Sequence, residues 1–151
     1  MKGFSIKTEI EEYDTFEQYA AQAGLGPEDL VLCGEHTYDK YVAPLSLGTQ
    51  TLFREKYGKG EPTDGMVDAI LDALHEKEFN RIIAIGGGTV VDIAKVVAVA
   101  GKEDKVDDLY DHVDSLKKVH PLVIIPTTCG TGSEVTNISV INRVSKGVKM
   151  G

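Results

Sequence analysis

Apolar residues follow two alternating rhythms along the chain. Short unbroken runs, Leu30-Val31-Leu32-Cys33, Ile82-Ile83-Ala84-Ile85 and Leu122-Val123-Ile124-Ile125, read as buried parallel strands. Between them the period becomes helical. Asp64 to about Phe79 sets Val67, Ile70, Leu71 and Leu74 on one face and Asp68, Asp72, Glu76 and Lys77 on the other. After Gly86-Gly87-Gly88, one face again collects Val90, Ile93, Ala94 and Val97. Asp14 to Ala23, through Phe16, Tyr19 and Ala20, predicts a short helix ended by Gly24. A weaker helix is predicted over His36 to Leu45, limited by Pro44. Residues 4–10 alternate loosely and predict an edge strand, and Thr49 to Phe53 predicts a third strand after Asp29 to Cys33. Arg54 to Thr63 reads as a polar loop, while Asn137 to Asn142 predicts a strand whose hairpin partner begins at Lys146 to Met150.

Strands alternating with helices predict an α/β domain with a mostly parallel sheet. Ligands of such sheets bind beyond the carboxyl ends of the strands. Gly34, the Gly86–Gly88 turn and the Thr127–Ser133 loop each follow a strand, so all three are expected along one edge of the sheet.

Composition narrows this picture. The chain has 151 residues, enough for one domain with a sizeable core. A net charge of -8 argues against a nucleic-acid or anionic-membrane surface. No apolar run reaches membrane-spanning length, and Met1 to Ser5 lacks the apolar core of a signal peptide. Cys33 and Cys129 suit neither a disulfide framework nor a zinc cluster, so the reading is a cytoplasmic protein with reduced thiols. The charged stretch at residues 102–119, with Asp107, Asp108, Asp111 and Asp114, reads as a solvated loop with a short surface helix.

Candidate chemistry centres on the glycine turn. Strand, glycines and helix form a phosphate-binding arrangement, because glycine lets backbone approach an anion and a helix start offers free N–H groups. Thr89 and Asp92 read as a helix cap and its partner, with free N–H groups expected at Thr89 to Val91. The spacing is not G-x-G-x-x-G, and three glycines fit equally a tight turn that binds nothing. A second loop, Pro126-Thr127-Thr128-Cys129-Gly130-Thr131-Gly132-Ser133-Glu134, also follows a strand and carries hydroxyls and glycines.

Together, Gly86 to Lys95 and Pro126 to Glu134 resemble paired segments of the iron-containing (group III) alcohol dehydrogenase family, G-G-G-S-x-x-D-x-x-K and P-T-T-x-G-T-G-S-E. Thr89 stands where that pattern has Ser and keeps the hydroxyl. Arg54 to Pro62 with Thr127 to Glu134 is most similar to the 4-hydroxybutyrate dehydrogenases of the family. The resemblance implies a Rossmann-like dinucleotide-binding domain over residues 1–151. It implies that Gly87, Gly88 and Thr89 hold a pyrophosphate, and that Thr127, Thr128 and Thr131 contact phosphate, ribose or nicotinamide. Thr136, Ile138 and Lys149 match further cofactor positions, as does Asp92, for which helix capping is an equal alternative. Lys95 reads as a surface lysine, and Cys129 as a small loop residue without a base to activate it. Many family members end the first strand with an Asp on the adenosine ribose; here Gly34 takes that place and Glu35 follows. Glu35 either faces the ribose, favouring NAD over NADP, or points to solvent.

The resemblance further implies a divalent metal, usually iron, bound by one Asp and three His of a helical C-terminal domain. His36, His75, His112 and His120 match none of these ligands. Gly147 to Gly151 stops almost as the hairpin begins, which reads as a domain truncated after Gly151. The implied whole protein is a homo-oligomer that transfers hydride between a small alcohol, 4-hydroxybutyrate, and NAD, with no nucleic-acid or membrane partner. A polyol- or dehydroquinate-type relative and a non-catalytic nucleotide-binding module stand as alternatives.

Overall fold

A computed structural model describes residues 7–151. Four parallel strands form the central sheet: β1 (Asp29–Cys33), β2 (Gln50–Phe53), β3 (Arg81–Gly86) and β4 (Leu122–Pro126), in the order β2-β1-β3-β4. Their side chains alternate between two faces, and both faces are covered, which explains the unbroken apolar runs. Leu30, Leu32, Leu52, Ile82 and Ala84 face a layer built by α3 (Asp64–Leu74), α4 (Gly88–Val99) and α5 (Val106–Asp111). Val31, Cys33, Ile83 and Ile85 face Tyr19 and Ala20 of α1 (Phe16–Ala23), together with Val42. That valine belongs to a helical stretch that begins with α2 (Glu35–Thr37), widens to a π-turn and tightens through Ala43–Leu45 around Pro44.

Local signals set the helix ends. The Thr15 hydroxyl accepts from the Gln18 N–H and Gly24 closes α1 at φ 61°. At α3, the Thr63 hydroxyl accepts from the Met66 N–H, but the helix stops at Leu74, short of Phe79. Residues 7–10 form no strand, and the rest of the predicted edge strand, residues 4–6, lies outside the described residues. The predicted loop from Arg54 contains a 3₁₀ turn, Arg54–Tyr57.

The C-terminal hairpin forms, with β5 (Ile141–Arg143) antiparallel to β6 (Val148–Met150), but β5 starts four residues after the expected Asn137. Tertiary contacts decide its place. The Asn142 N–H donates to the Pro62 carbonyl, 2.9 Å. Arg143, with a side chain only 3 % exposed, donates through Nε to Asp107 and through Nη2 to Asp111, 2.7 and 3.0 Å. The acidic stretch read as solvated thus anchors the hairpin, and Val106 and Leu109 of its short helix are buried.

Asp64 completes the anchor. It accepts from the Ser145 backbone N–H at 3.0 Å and the Ser145 hydroxyl at 2.6 Å. These bonds, the hydroxyl's first, hold its carboxyl below the usual 3.8 despite burial. The unfolded chain takes up that proton first as pH falls, so this contribution is whole above about pH 4 and is lost as pH drops through the folded value. Asp64→Asn should therefore lower the melting temperature at pH 7, and the difference from the parent should shrink toward pH 3. Thermal melts at both values check it, and a pH-independent difference would contradict it.

Candidate functional site

The chain passes from β1 outward to β2, then crosses back over β1 to reach β3. The direction of winding therefore reverses between β1 and β3, and the crevice beyond their carboxyl ends is where a parallel sheet accepts a ligand. The sequence-predicted loops converge there. In register, Cys33 lies beside Ile85 and Gly86 beside Pro126, so Gly34, the glycine turn and the threonine loop follow adjacent strand ends.

Each glycine of the turn has a different job. A Cβ on Gly86 would stand 2.7 and 2.8 Å from Cγ2 and Cβ of Val90, so only glycine lets α4 start this close to β3. A Cβ on Gly87 would approach the Thr128 Oγ1 to 3.2 Å, whereas on Gly88 it would meet only Thr131 Cγ2, at 3.8 Å. Gly88 therefore faces the gap between the two loops.

Gly87, not Thr89, is the helix cap, and no side chain closes it. The Val91 N–H donates to the Gly87 carbonyl at 3.1 Å. Gly88, Thr89 and Val90 are left with N–H groups that have no partner among the described residues. The free donors thus lie one residue earlier than Thr89 to Val91. They stand at the positive end of a twelve-residue helix.

Asp92 does not cap the helix either. One turn in, its Oδ1 accepts from the Ser133 hydroxyl at 2.9 Å, and its carbonyl accepts from the Ser139 hydroxyl at 2.8 Å. Lys95 is not a surface lysine: its side chain is 10 % exposed. Its Nζ donates to Ser133 Oγ at 3.0 Å, Thr136 Oγ1 at 3.3 Å and the Ile138 carbonyl at 2.6 Å. Burial pushes its amine below the usual lysine range, against the opposing charges of Asp92 and Glu134. Asp92 and Lys95 share a helix face at i and i+3, so one side of α4 holds the far end of the threonine loop.

The near end of that loop is held by the sheet, through the Thr127 N–H and the Gly86 carbonyl, 3.0 Å. Between these supports the chain turns at Gly130 and Gly132, with φ 101° and 65°, values that favour glycine. Thr127, Thr128, Cys129 and Thr131 are left exposed at the site. Of the other predicted residues, Thr136 and Ile138 join through Lys95, although the Ile138 side chain is exposed. Lys149 lies on the hairpin and pairs with Glu61 at 2.8 Å. Cys33, buried beneath Gly34, is an inert thiol pushed up to about 12, chiefly by burial.

Among the described residues, no three His, Cys, Asp or Glu side chains converge to hold a metal ion. The described residues therefore do not fit a catalytic metal. No helix among the described residues is long and apolar enough to cross a membrane.

A four-stranded parallel sheet with helices on both faces and glycine loops at its winding reversal defines the Rossmann-like class of α/β domains. The chain belongs to the iron-containing alcohol dehydrogenase family, whose sequence profile matches residues 8–151. It is 39% identical to the 4-hydroxybutyrate dehydrogenase of Clostridium kluyveri over 151 residues, all of this chain and 40% of that protein. Against the NAD-dependent methanol dehydrogenase of Bacillus methanolicus, identity is 38% over 92 residues, 60% of this chain and 24% of that protein. Among solved structures, an iron-containing alcohol dehydrogenase of Thermotoga maritima superposes with TM-score 0.69 at 29% identity, covering 89% of this chain and 39% of that one. A sulfoacetaldehyde reductase of Bifidobacterium kashiwanohense, solved with NAD+, shares the fold at TM-score 0.69 and 24% identity, over 89% and 37% of the two chains. The chain thus spans about two fifths of the length of these full-length relatives or less.

Proposed function

We propose that this chain is the dinucleotide-binding part of an NAD-linked, metal-dependent alcohol dehydrogenase acting on 4-hydroxybutyrate. The observation that carries the reading is the gap between the glycine turn and the threonine loop. On one side lie three backbone donors at a helix start. On the other lie exposed threonine hydroxyls on a loop fastened at both ends. That arrangement suits an extended anion such as a pyrophosphate.

The residues present fit NAD. The N–H groups of Gly88, Thr89 and Val90 would meet the pyrophosphate, and Gly88 leaves room for it. Thr127, Thr128 and Thr131 would hold the phosphate, ribose or nicotinamide portion from the loop side, with Gly34 under the adenosine ribose. Thr136 and Ile138, in the segment that precedes the hairpin, and Lys149, on its second strand, would extend the site. A bound NAD+ would supply the hydride acceptor for oxidation of the carbinol carbon of 4-hydroxybutyrate to succinate semialdehyde, with release of a proton. The chain's own part is to bind and orient the cofactor. Substrate and metal contacts, oligomer formation and a cytoplasmic location belong to the proposed whole enzyme.

The experiment is to add ferrous or zinc ion, NAD+ and 4-hydroxybutyrate to the purified chain, following NADH absorbance and NAD+ binding in parallel. The expected result is binding without turnover. Turnover at the rate of an intact dehydrogenase would show that a complete active site lies within these residues.

A further inference from the structure

Gly34 leaves the end of β1 without a side chain, yet that place is filled. Glu55, on the 3₁₀ turn that follows β2, leans back across the neighbouring strand end. A Cβ on Gly34 would stand 3.4 Å from Glu55 Cδ and 3.7 Å from its Oε2. The carboxylate thus occupies the space that an acidic side chain on β1 would use. After burial, its charge is also what raises the thiol of the adjacent Cys33.

β1 is the neighbour of the glycine-turn strand on the side away from β4. With a pyrophosphate on the glycine turn, the adenosine ribose of a dinucleotide falls over this strand end, and a carboxylate there accepts from the ribose hydroxyls. The same carboxylate repels a 2′-phosphate. The cations flanking Glu55 in sequence are engaged elsewhere. Arg54 donates to the Gly60 carbonyl, and Lys56 Nζ lies over the Phe53 ring, 5.1 Å from its centroid.

Resting on the dinucleotide-site reading, we propose that Glu55 is the residue that selects NAD over NADP, accepting from the adenosine ribose across Gly34. Glu35, the acidic residue next to Gly34 in sequence, then makes no contribution to the choice. The glycine is part of the device, because a side chain at position 34 would displace the carboxylate.

The test is calorimetric titration of NAD+ and NADP+ into the complete chain and its Glu55→Gln, Glu35→Gln and Gly34→Ala variants. The parent should prefer NAD+. Glu55→Gln should shrink the preference by at least about tenfold, largely through tighter NADP+ binding. Glu35→Gln should leave the ratio unchanged, and Gly34→Ala should weaken NAD+. If NAD+ binds but Glu55→Gln leaves the ratio intact, or Glu35→Gln is the variant that shifts it, the proposal is overturned while the site stands. An equal affinity of the parent for both dinucleotides overturns it too. If neither dinucleotide binds the parent, the site reading falls and the proposal with it.

Discussion

Gly88→Val is expected to leave the chain folded and to cut its affinity for NAD+ by at least about thirtyfold, roughly 2 kcal/mol. The position separates binding from folding unusually well. A Cβ at Gly88 would meet only Thr131 Cγ2, at an ordinary 3.8 Å, and the residue sits in regular helical backbone at the first turn of α4. Valine there costs a few tenths of a kcal/mol in helix propensity relative to better helix formers. Its branched side chain, however, stands in the gap where the pyrophosphate must reach the N–H groups of Gly88 to Val90. Gly86 makes the contrast. Even a methyl there would push into the Cβ of Val90 at 2.8 Å, so Gly86→Ala disturbs packing rather than binding. Calorimetry of the two dinucleotide forms, NAD+ and NADH, with circular dichroism of the free protein, checks the prediction. Unchanged affinity in a folded Gly88→Val chain would remove the glycine turn from the site.

Lys95→Met should lower the melting temperature by roughly 4–8 °C, the shift expected for about 2 kcal/mol in a domain of this size. Methionine nearly matches the length of lysine but carries no donor. Ser133 Oγ, Thr136 Oγ1 and the Ile138 carbonyl would lose the ammonium that gathers them, and Asp92 would keep its charge without the cation 3.9 Å away. Leaving such groups unpaired costs more than the bonds are worth when intact. The effect should be local. Hydrogen exchange should quicken across Thr127–Ser139, while β3 amides keep their protection. NAD+ affinity should fall with the loop's order. Arginine is not expected to rescue, since its planar fork does not fit three oxygens gathered around one nitrogen. Melting and exchange that match the parent would show that the loop is held without Lys95.

The parallel α/β architecture and the convergence of three strand-end loops were legible because both follow from local pattern. Buried strands are written as unbroken apolar runs, and glycine-rich turns follow them directly. Elements fixed by distant partners were not legible in that way. β5 begins at Ile141 because the Asn142 N–H meets the Pro62 carbonyl and Arg143 meets Asp107 and Asp111, partners at least 32 residues away. The same long-range pairing makes an acidic stretch that stays largely exposed an anchor as well. Asp92 and Lys95 carried a signal that local capping logic overrode. Their i, i+3 spacing sets both on one face of α4, facing a loop of hydroxyls. Glu55 carried none. Only the neighbouring ends of β1 and β2 reveal that a residue of the following turn covers Gly34.

Joint reception of a dinucleotide by the glycine turn and the threonine loop, as proposed, can be tested residue by residue. The most direct measurement is a backbone amide NMR titration of the isotope-labelled chain with NAD+. Saturable shifts are expected, concentrated at Gly86–Val90 and Thr127–Ser133, with a smaller response at Gly34 and Glu55, and little change at the opposite end of the sheet around Asp29 and Arg81. Shifts confined to other surfaces, or none at saturating NAD+, would contradict it.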